Sequence, residues 1–423
     1  MTAVFLAGVF LRPGWAQHGM DHSASFSVQT EGTGPMIQEY PLPTGNCLPY
    51  GIGMDSQGRI WYTAQLSNQV GVLDPKTGEV KEYKIPSAAS LPKSDWKYDP
   101  VERSTPNPDD TYNIFSVGSP GELVVDSGDR VWFVQILGNS IGVFDPKTGE
   151  FTEYLIPTPN SHPYSLALDS QNNVWFIERN ANKIGKLDFA IKKIVEYALP
   201  EGEHRLSSIA IDEKQNIWIT DIMDNSLGLF LPAEGRIKRY PIYEKVAQPQ
   251  SVTAGAQGHV WFAMAKAHMI AMLDLASDRI SYAVIPGYNS VSQDLAVDDT
   301  GRVWYVDSMR NMIGYFDPDK VHFREWNIPT TNAQPMQMII DRNGDIWFSE
   351  SDRGANNLGR LIVSSIPPEE VKAAESSLKD APRAGGEGAG TEENRGLKEW
   401  WPAGLLAVGF FIWIVIRLGR KGQ

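Results

Sequence analysis

The sequence has a single cysteine, Cys47, among 423 residues. One cysteine excludes an intramolecular disulfide, and it excludes the cysteine-rich motifs that bind metal or attach haem. Lys and Arg total 38 against 51 Asp and Glu, which leaves a formal net charge of −13. An acidic chain of this kind repels nucleic acid, which also carries negative charge. We therefore expect no nucleic-acid partner and no haem, flavin or nucleotide site, and we expect Cys47 to be a small semi-buried residue.

Tryptophan recurs at a fixed interval. Six tryptophans are spaced 43 residues apart, and a seventh lies 71 residues before them, one period plus 28. In chain order they are Trp61, Trp132, Trp175, Trp218, Trp261, Trp304 and Trp347. A period in the forties that carries short strands is typical of β-propeller blades. The sequence predicts an all-β fold, a β-propeller of seven blades.

One repeat shows how a blade is built. Four short runs rich in β-branched and aromatic residues read as strands a to d, from the inside outwards: Tyr164–Asp169, Val174–Glu178, Asn182–Asp188 and Lys193–Pro200. A glycine recurs in strand c, and we expect it to let the tryptophan of strand b pack close to the backbone. Its positions are Gly71, Gly142, Gly185, Gly228, Gly314 and Gly359.

The two ends of the repeat region complement each other. Residues 36–43, MIQEYPLP, match an outer strand but follow no strands a to c. The last repeat ends at Val363 without an outer strand. We therefore predict that residues 36–43 complete the seventh blade and close the ring, which protects the edge strands.

Both termini have features of membrane proteins. Residues 1–17 resemble a secretory signal, with the apolar run Ala3–Leu11, and 18–35 form a further N-terminal segment. At the other end, Trp400–Leu418 has no charge before Arg417 and at about 1.5 Å per residue would span about 28 Å as a helix. Basic residues follow it, so we predict a transmembrane helix at 400–418 and a cytoplasmic tail at 419–423. The propeller, residues 36–363, would then face the periplasm or the extracellular space from an inner or plasma membrane.

Two segments without repeat character remain. Residues 364–399 are rich in Gly, Ala, Pro, Glu and Ser, and we predict a disordered tether there. The extra 28 residues lie within an insertion at 87–117, between the first and second blades. Its aromatic residues, Trp96, Tyr98, Tyr112 and Phe115, are suited either to covering the channel or binding a partner, or to packing on their own blade.

Two positions per repeat are expected to converge at one rim of the central channel. The first ring, eleven residues before each tryptophan, reads Tyr50, Gly121, Tyr164, Ser207, Gln250, Gln293 and Met336. The second ring, three residues after each tryptophan, reads Ala64, Gln135, Glu178, Asp221, Met264, Asp307 and Glu350. Its four carboxylates would raise one another's pKa unless a cation compensated them. They are either a Mg²⁺ or Ca²⁺ site or solvated strand ends.

A second candidate metal motif lies near the N-terminus. His18, Met20 and His22 fall within five residues, and imidazole and thioether ligands suit copper. Such short runs are more often inert, so both interpretations stay open.

The repeat resembles that of the streptogramin B lyases, also called virginiamycin B lyases. The resemblance rests on LPYGIGMDSQGRIWYT, NKIGKLD and EYxLP and covers residues 36–363. It implies a seven-bladed propeller that binds Mg²⁺ and opens a cyclic depsipeptide by elimination, with histidine as the general base. Tyr50 matches a substrate-side tyrosine of that family, and Glu350 matches a glutamate of its last blade.

The catalytic positions depart from the family pattern. Gln293 and Met336 stand where the family has its two critical histidines, and Gln334 replaces a glutamate. Neither an amide nor a thioether acts as a general base near neutral pH. The nearest histidines are His162 and His204, and neither occupies a ring position.

Two functions follow from these observations. The first is a membrane-anchored, outward-facing propeller that acts as a binding or scaffold module, with a membrane-protein partner or a small-molecule ligand. The alternative is a Mg-dependent lyase acting on a cyclic depsipeptide or similar ester with a rearranged site, using the acidic ring and Tyr50 or Tyr164. The C-terminal anchor favours the first.

Overall fold

The computed structural model describes residues 35–86 and 118–366, apart from 201, 203, 233, 245, 256 and 257, and the backbone of 414–416. Several predictions from the sequence lie outside these residues. They are the signal at 1–17, nearly all of the segment 18–35, the insertion 87–117, the tether beyond residue 366, the tail, and the spanning segment apart from 414–416.

The described chain folds into seven antiparallel sheets, each with the four strands of one blade, as the tryptophan repeat predicts. The innermost strands, a, are β2 (Pro49–Met54), β6 (Pro120–Val125), β10 (Pro163–Leu168), β14 (Leu206–Ile211), β18 (Pro249–Ala254), β22 (Ser292–Val297) and β26 (Pro335–Ile340). The b strands are β3 (Ile60–Ala64), β7 (Val131–Gln135), β11 (Val174–Glu178), β15 (Ile217–Asp221), β19 (His259–Met264), β23 (Val303–Asp307) and β27 (Ile346–Glu350). The c strands are β4 (Gln69–Leu73), β8 (Ser140–Asp145), β12 (Lys183–Asp188), β16 (Ser226–Leu231), β20 (Met269–Asp274), β24 (Met312–Asp317) and β28 (Asn357–Leu361). The outer strands, d, are β5 (Val80–Lys84), β9 (Glu150–Leu155), β13 (Lys193–Ala198), β17 (Arg236–Pro241), β21 (Arg279–Val284), β25 (His322–Asn327) and, for the seventh blade, β1 (Ile37–Pro41).

The N-terminal strand closes the ring, and this prediction is confirmed. β1 pairs antiparallel with β28, from Ile37 opposite Leu361 to Pro41 opposite Asn357. The seventh sheet has the order β1-β28-β27-β26. Each a strand neighbours the a strand of the next blade, and β26 returns to β2. The first and last parts of the repeat region therefore share one blade.

The repeated tryptophans pack between blades. Trp61, for example, lies with Leu123 and Phe133 of the second blade in one apolar cluster. In six blades the indole N–H donates to an aspartate six residues earlier, at 2.8 to 3.0 Å. In the fifth blade Gly255 stands at the aspartate position. The period of the sequence thus reflects one buried polar contact repeated around the ring.

The role expected for the strand c glycines needs a correction. In most blades the close neighbour is the residue after the tryptophan, not the tryptophan itself. A Cβ on Gly71 would lie 2.1 Å from Cζ of Tyr62, and a Cβ on Gly359 would lie 2.1 Å from Cζ of Phe348. Tyr62 pairs with Gly71 across the sheet, so its ring crosses strand c towards strand d and fills the space that a side chain would need.

An asparagine at the start of strand c joins neighbouring blades. Asn311 donates to the carbonyls of Ile328 and Thr330 at 3.0 and 2.9 Å and accepts from the N–H of Ala333 at 2.7 Å. Asn356 repeats this arrangement across the ring closure, bonding Leu42, Thr44 and Cys47. Cys47 is fully buried there, somewhat deeper than expected. Burial raises the pKa of its thiol to about 12.

Part of the predicted membrane segment is extended. Ile414–Ile416 forms a short strand, β29, antiparallel to β21, with Ile280 opposite Ile416. Its β-branched residues favour a strand, and β21 presents an open outer edge. Within the part of the chain that the structure describes, no helix has the length and apolar character needed to cross a bilayer. The spanning helix at 400–418 stays a prediction.

Candidate functional site

The central channel is bordered by the a strands. Every a strand pairs irregularly with strand b near its start, which is a β-bulge. The first ring predicted from the sequence lies at these bulges. Strand b ends at the same rim, since Pro163 pairs with Glu178 and Pro49 with Ala64. Lys84, just before the insertion, pairs with Gln69 at this level, so the insertion leaves the propeller at the rim expected for it.

Two tyrosines of the first ring meet across an intervening blade. The hydroxyls of Tyr50 in blade 1 and Tyr164 in blade 3 are 2.9 Å apart. The same position in blade 2 is Gly121, which carries no side chain that could separate them. Desolvation, followed by the neighbouring Tyr164, raises the pKa of Tyr50 well above its ordinary value. Tyr50 therefore stays protonated and serves as a hydrogen-bonding group rather than a base.

Arg179 covers the Tyr164 ring at this rim. Its guanidinium carbon lies 3.3 Å from the ring centroid. Its Nε donates to the carbonyl of Leu206 at 2.9 Å, and its Nη2 lies 3.4 Å from Oγ of Ser207. Sequence reasoning did not identify Arg179, because it follows the last residue of strand b and lies outside both rings.

The positions matched to the family histidines hold no base. Gln293 donates from Nε2 to Oγ of Ser308 at 3.0 Å, and Met336 is half-buried at the same ring level. Gln334 is exposed. Glu350 is fully buried and accepts a hydrogen bond from Asn357 at 2.9 Å. Of the matched residues, Tyr50 contributes to the cluster around Arg179, while Glu350 does not face the channel.

The two nearest histidines are also poor bases. Burial first, then the charges of Arg179 and Arg205, lowers the pKa of His162 to about 4. His204 has both ring nitrogens engaged, Nδ1 with Asp221 at 2.5 Å and Nε2 with the carbonyl of Pro200 at 3.1 Å. General-base catalysis is most effective with a pKa near the operating pH, which His162 does not have, and both ring nitrogens of His204 are already engaged in contacts.

The second ring does not line the channel, which corrects the arrangement expected from the sequence. Strand a separates strand b from the axis, so these side chains are buried against their own blade, and three of them reach the outer strand. Gln135 contacts Glu153 on the outer strand β9. Glu178 lies near Glu196 on β13, and Glu350 lies near Glu39 on β1. In both glutamates burial is the main cause that raises the pKa to about 8.

The other two carboxylates of this ring bind local donors. Asp221 accepts from His204 and from the N–H of Arg205 at 3.0 Å. Asp307 accepts from Oγ of Ser290 at 2.7 Å and lies 3.4 Å from Nε of Arg310. Among the residues described, no three His, Cys, Asp or Glu side chains form a group suited to a metal ion. The four acids of the second ring thus do not come together as ligands of one Mg²⁺ or Ca²⁺ ion. The other candidate metal motif, His18, Met20 and His22, lies outside the described part of the chain.

A polar layer that the sequence analysis missed does face the channel. The residue after each first-ring position is polar in six of seven blades: Gly51, Glu122, Ser165, Ser208, Ser251, Asp294 and Gln337. Such a polar column within otherwise apolar strands is the signal that would have revealed it. Asp294 accepts from Ser251 Oγ at 2.8 Å and from the N–H of Met338 in the next blade at 3.0 Å.

The two acids of this layer are half-buried and enclosed by protein. Desolvation raises the pKa of Glu122 to about 8, which hydrogen bonds from Ser165 and Gln337 partly offset. Desolvation also raises the pKa of Asp294 to about 6. Both acids bind protons more tightly in the folded protein than in the unfolded chain.

Stability should therefore fall as the pH rises. Between the ordinary pKa of a glutamate and about 8, folded Glu122 keeps a proton that the unfolded chain has released, so its contribution is full at low pH and is lost as the pH passes about 8. We expect the melting temperature of the full chain to decrease between pH 6 and pH 9. Glu122→Gln should reduce this slope, whereas the exposed control Glu213→Gln should leave it unchanged. Parallel curves for wild type and Glu122→Gln would contradict the assignment.

Comparisons with known proteins agree with this architecture. The model of the virginiamycin B lyase family matches residues 122–374. A solved streptogramin B lyase is 27% identical, covers 77% of this chain and 97% of its own, and has a TM-score of 0.66. The virginiamycin B lyase of Staphylococcus aureus is 24% identical, with coverage of 78% and 99% and a TM-score of 0.66. The extracellular domain of a protein assigned to the hybrid two-component systems of B. thetaiotaomicron shares the fold at 13% identity, covering 77% of this chain and 40% of that one, with a TM-score of 0.56. No curated protein matches the chain significantly.

Proposed function

Because the chain belongs to the virginiamycin B lyase family, we propose that it uses the family's propeller as a binding module and not as a lyase. The observation that carries this proposal is the composition of the first ring. Gln293 and Met336 replace proton-accepting groups, and the amide of Gln293 is held by Ser308. An elimination needs a base positioned at the carbon that loses its proton, and neither side chain can act as one.

The same rim has what a binding site needs. Tyr50 and Tyr164 provide half-buried aromatic surface with hydroxyl groups, and Arg179 provides fixed N–H donors. A concave site of apolar surface with a few placed polar groups is the usual form of a small-ligand site. A ligand held at the channel mouth is thus supported by the geometry without any catalytic group.

The test is incubation of the full chain with a type B streptogramin, with and without Mg²⁺, followed by mass spectrometry. We expect no ring opening, because the general base is missing. The S. aureus virginiamycin B lyase serves as the positive control under the same conditions. Metal-dependent opening that chelator abolishes would refute the proposal and favour the alternative, a lyase with a rearranged site.

The membrane anchor is part of the same proposal. A helix at 400–418 with the basic tail inside would tether the propeller outside the cell, near a membrane-protein partner or a ligand. Tethering raises the effective concentration of the propeller near other membrane-bound molecules. Protease added to intact spheroplasts should release the propeller by cutting within 367–396. Full protection in intact cells would refute this topology.

A further inference from the structure

Positive charge without a carboxylate partner gathers at the rim of blades 3 and 4. Arg179, Arg205 and His162 lie close enough that both arginines affect the pKa of His162. Among the described residues, no Asp or Glu forms an ion pair with either arginine side chain. Desolvation, with Arg205 contributing, lowers the pKa of Arg179. A half-buried cation without an opposite charge is unfavourable unless something else compensates it.

Three arginines at the opposite rim of the same propeller each have a carboxylate partner. Arg59, Arg130 and Arg302 also lie over aromatic rings, with guanidinium carbons 5.5 to 5.9 Å from a tryptophan centroid. Each of the three pairs with an aspartate four residues earlier at 2.7 Å. Arg179 has the aromatic contact without the carboxylate. Within the described chain, Arg179 therefore differs from these three arginines in forming no ion pair beside its aromatic contact.

The free edge of Arg179 is fixed in position. Nε and Nη2 are directed to Leu206 and Ser207, and the Tyr164 ring covers one face of the guanidinium. Guanidinium has five N–H donors, so even with a further hydrogen bond to the Tyr164 side chain two donors on the terminal nitrogens remain. These terminal donors form the fork that binds a carboxylate or phosphate through two parallel hydrogen bonds.

The tyrosine pair provides a further donor beside this fork. One of the hydroxyls of Tyr50 and Tyr164 donates to the other over 2.9 Å, which leaves the second hydroxyl proton for another acceptor. The carboxyl group of Glu122 also lies near Tyr50, but the side chains in direct contact with the Arg179 guanidinium, Tyr164 and Ser207, are uncharged. Two arginines without an ion-pair partner among the described residues give this corner a local positive charge on a chain whose net charge is −13, and such a site can attract anions.

We propose that the rim of blades 3 and 4 binds the oxyanion group of a small ligand, a carboxylate or a phosphate, on the terminal edge of Arg179, with Arg205 and a tyrosine hydroxyl as additional partners. This site rests on the proposed binding function and specifies the ligand chemistry. It needs no metal and no catalytic base.

The experiment is calorimetric titration of the full chain in a neutral detergent with benzoate, phenyl phosphate and uncharged benzyl alcohol. We expect saturable binding of at least one anion, weakening at high salt, and no binding of the alcohol. The preferred anion distinguishes a carboxylate ligand from a phosphate ligand. Failure of both anions to bind, or equal binding of benzyl alcohol, would overturn the site.

Three variants locate the binding. Arg179→Gln should weaken anion affinity at least about tenfold, since it removes the charge-assisted fork. Arg179→Lys should recover only part of the affinity because it keeps the charge without the fork. The exposed Arg236→Gln, on an outer strand, should bind as wild type does. Unchanged affinity in a folded Arg179→Gln protein would overturn the proposal.

A further variant, Arg205→Gln, tests the site if Arg179→Gln does not fold. Arg205→Gln changes an exposed residue, and it should weaken binding while the melting temperature stays unchanged. Full affinity in that protein would overturn the proposal. The streptogramin assay is independent of both results: ring opening with intact anion binding would refute the proposed function alone.

Discussion

A chain that lacks residues 1–43 is expected to lose the closed ring. The deletion removes β1, which forms the outer strand of the seventh blade along five paired residues. It also removes Glu39, whose carboxylate accepts the N–H of Thr330 at 2.7 Å, and the carbonyl of Leu42 that Asn356 binds. The edge of β28 would be open to pairing with another chain. Size-exclusion chromatography should show oligomers or aggregates, and thermal unfolding should begin at a markedly lower temperature.

The control for this deletion keeps the strand. Removal of residues 1–34 leaves β1 and its pairing with β28 in place, so this shorter deletion should behave as the full chain does. A monomeric protein with unchanged melting temperature after removal of 1–43 would show that β1 is dispensable.

The second large effect is expected from Asp294→Ala. Asp294 accepts the N–H of Leu295 at 2.9 Å, the N–H of Met338 at 3.0 Å and the hydroxyl of Ser251 at 2.8 Å, and so connects blades 5, 6 and 7. Alanine leaves two backbone donors of the inner strands without this acceptor. At about 1–3 kcal/mol for each unsatisfied group, the free energy of unfolding should fall by roughly 3 kcal/mol. Urea denaturation of the two proteins at pH 7 measures the difference.

The repeat itself provides the matched control, Asp294→Ser. Ser165 and Ser208 hold the equivalent position in blades 3 and 4 and accept the N–H of the next blade at 3.2 and 3.3 Å. Serine at 294 should therefore restore the bond to Met338 and cost much less than alanine. Equal losses for the two variants would mean that the inter-blade hydrogen bond contributes little and that another property of Asp294 matters.

The fold was predictable because the same packing arrangement recurs in each of the seven blades. Each blade has an indole between sheets, and six of the seven blades have an aspartate that accepts its N–H, so these residues recur at one spacing. The missing outer strand after Val363 and the orphan strand before Pro43 then predict ring closure, and the pairing of Ile37 with Leu361 confirms it.

The site was less predictable because a period gives sequence spacing and not radial position. Glu178 and Glu350 end strand b at the correct rim, yet strand a lies between them and the channel. The position that Asp294 and Glu122 share carries an acid in only two of the seven repeats, so it does not stand out as a repeated motif. Arg179 has no counterpart among the equivalent residues of other blades, and its importance depends on a contact with Tyr164 that only the fold creates.

The pairing of β1 with β28 also has a consequence for the order of folding. Ile37 and Leu361 lie near opposite ends of the repeat region, so their contact has one of the largest sequence separations in the chain. Contacts of high sequence separation form slowly because the intervening chain must be ordered first. Six blades can assemble from neighbouring strands as the polypeptide emerges, but the seventh must wait for both ends. β1 is therefore synthesised first but pairs last, and folding cannot finish before the repeat region has been synthesised.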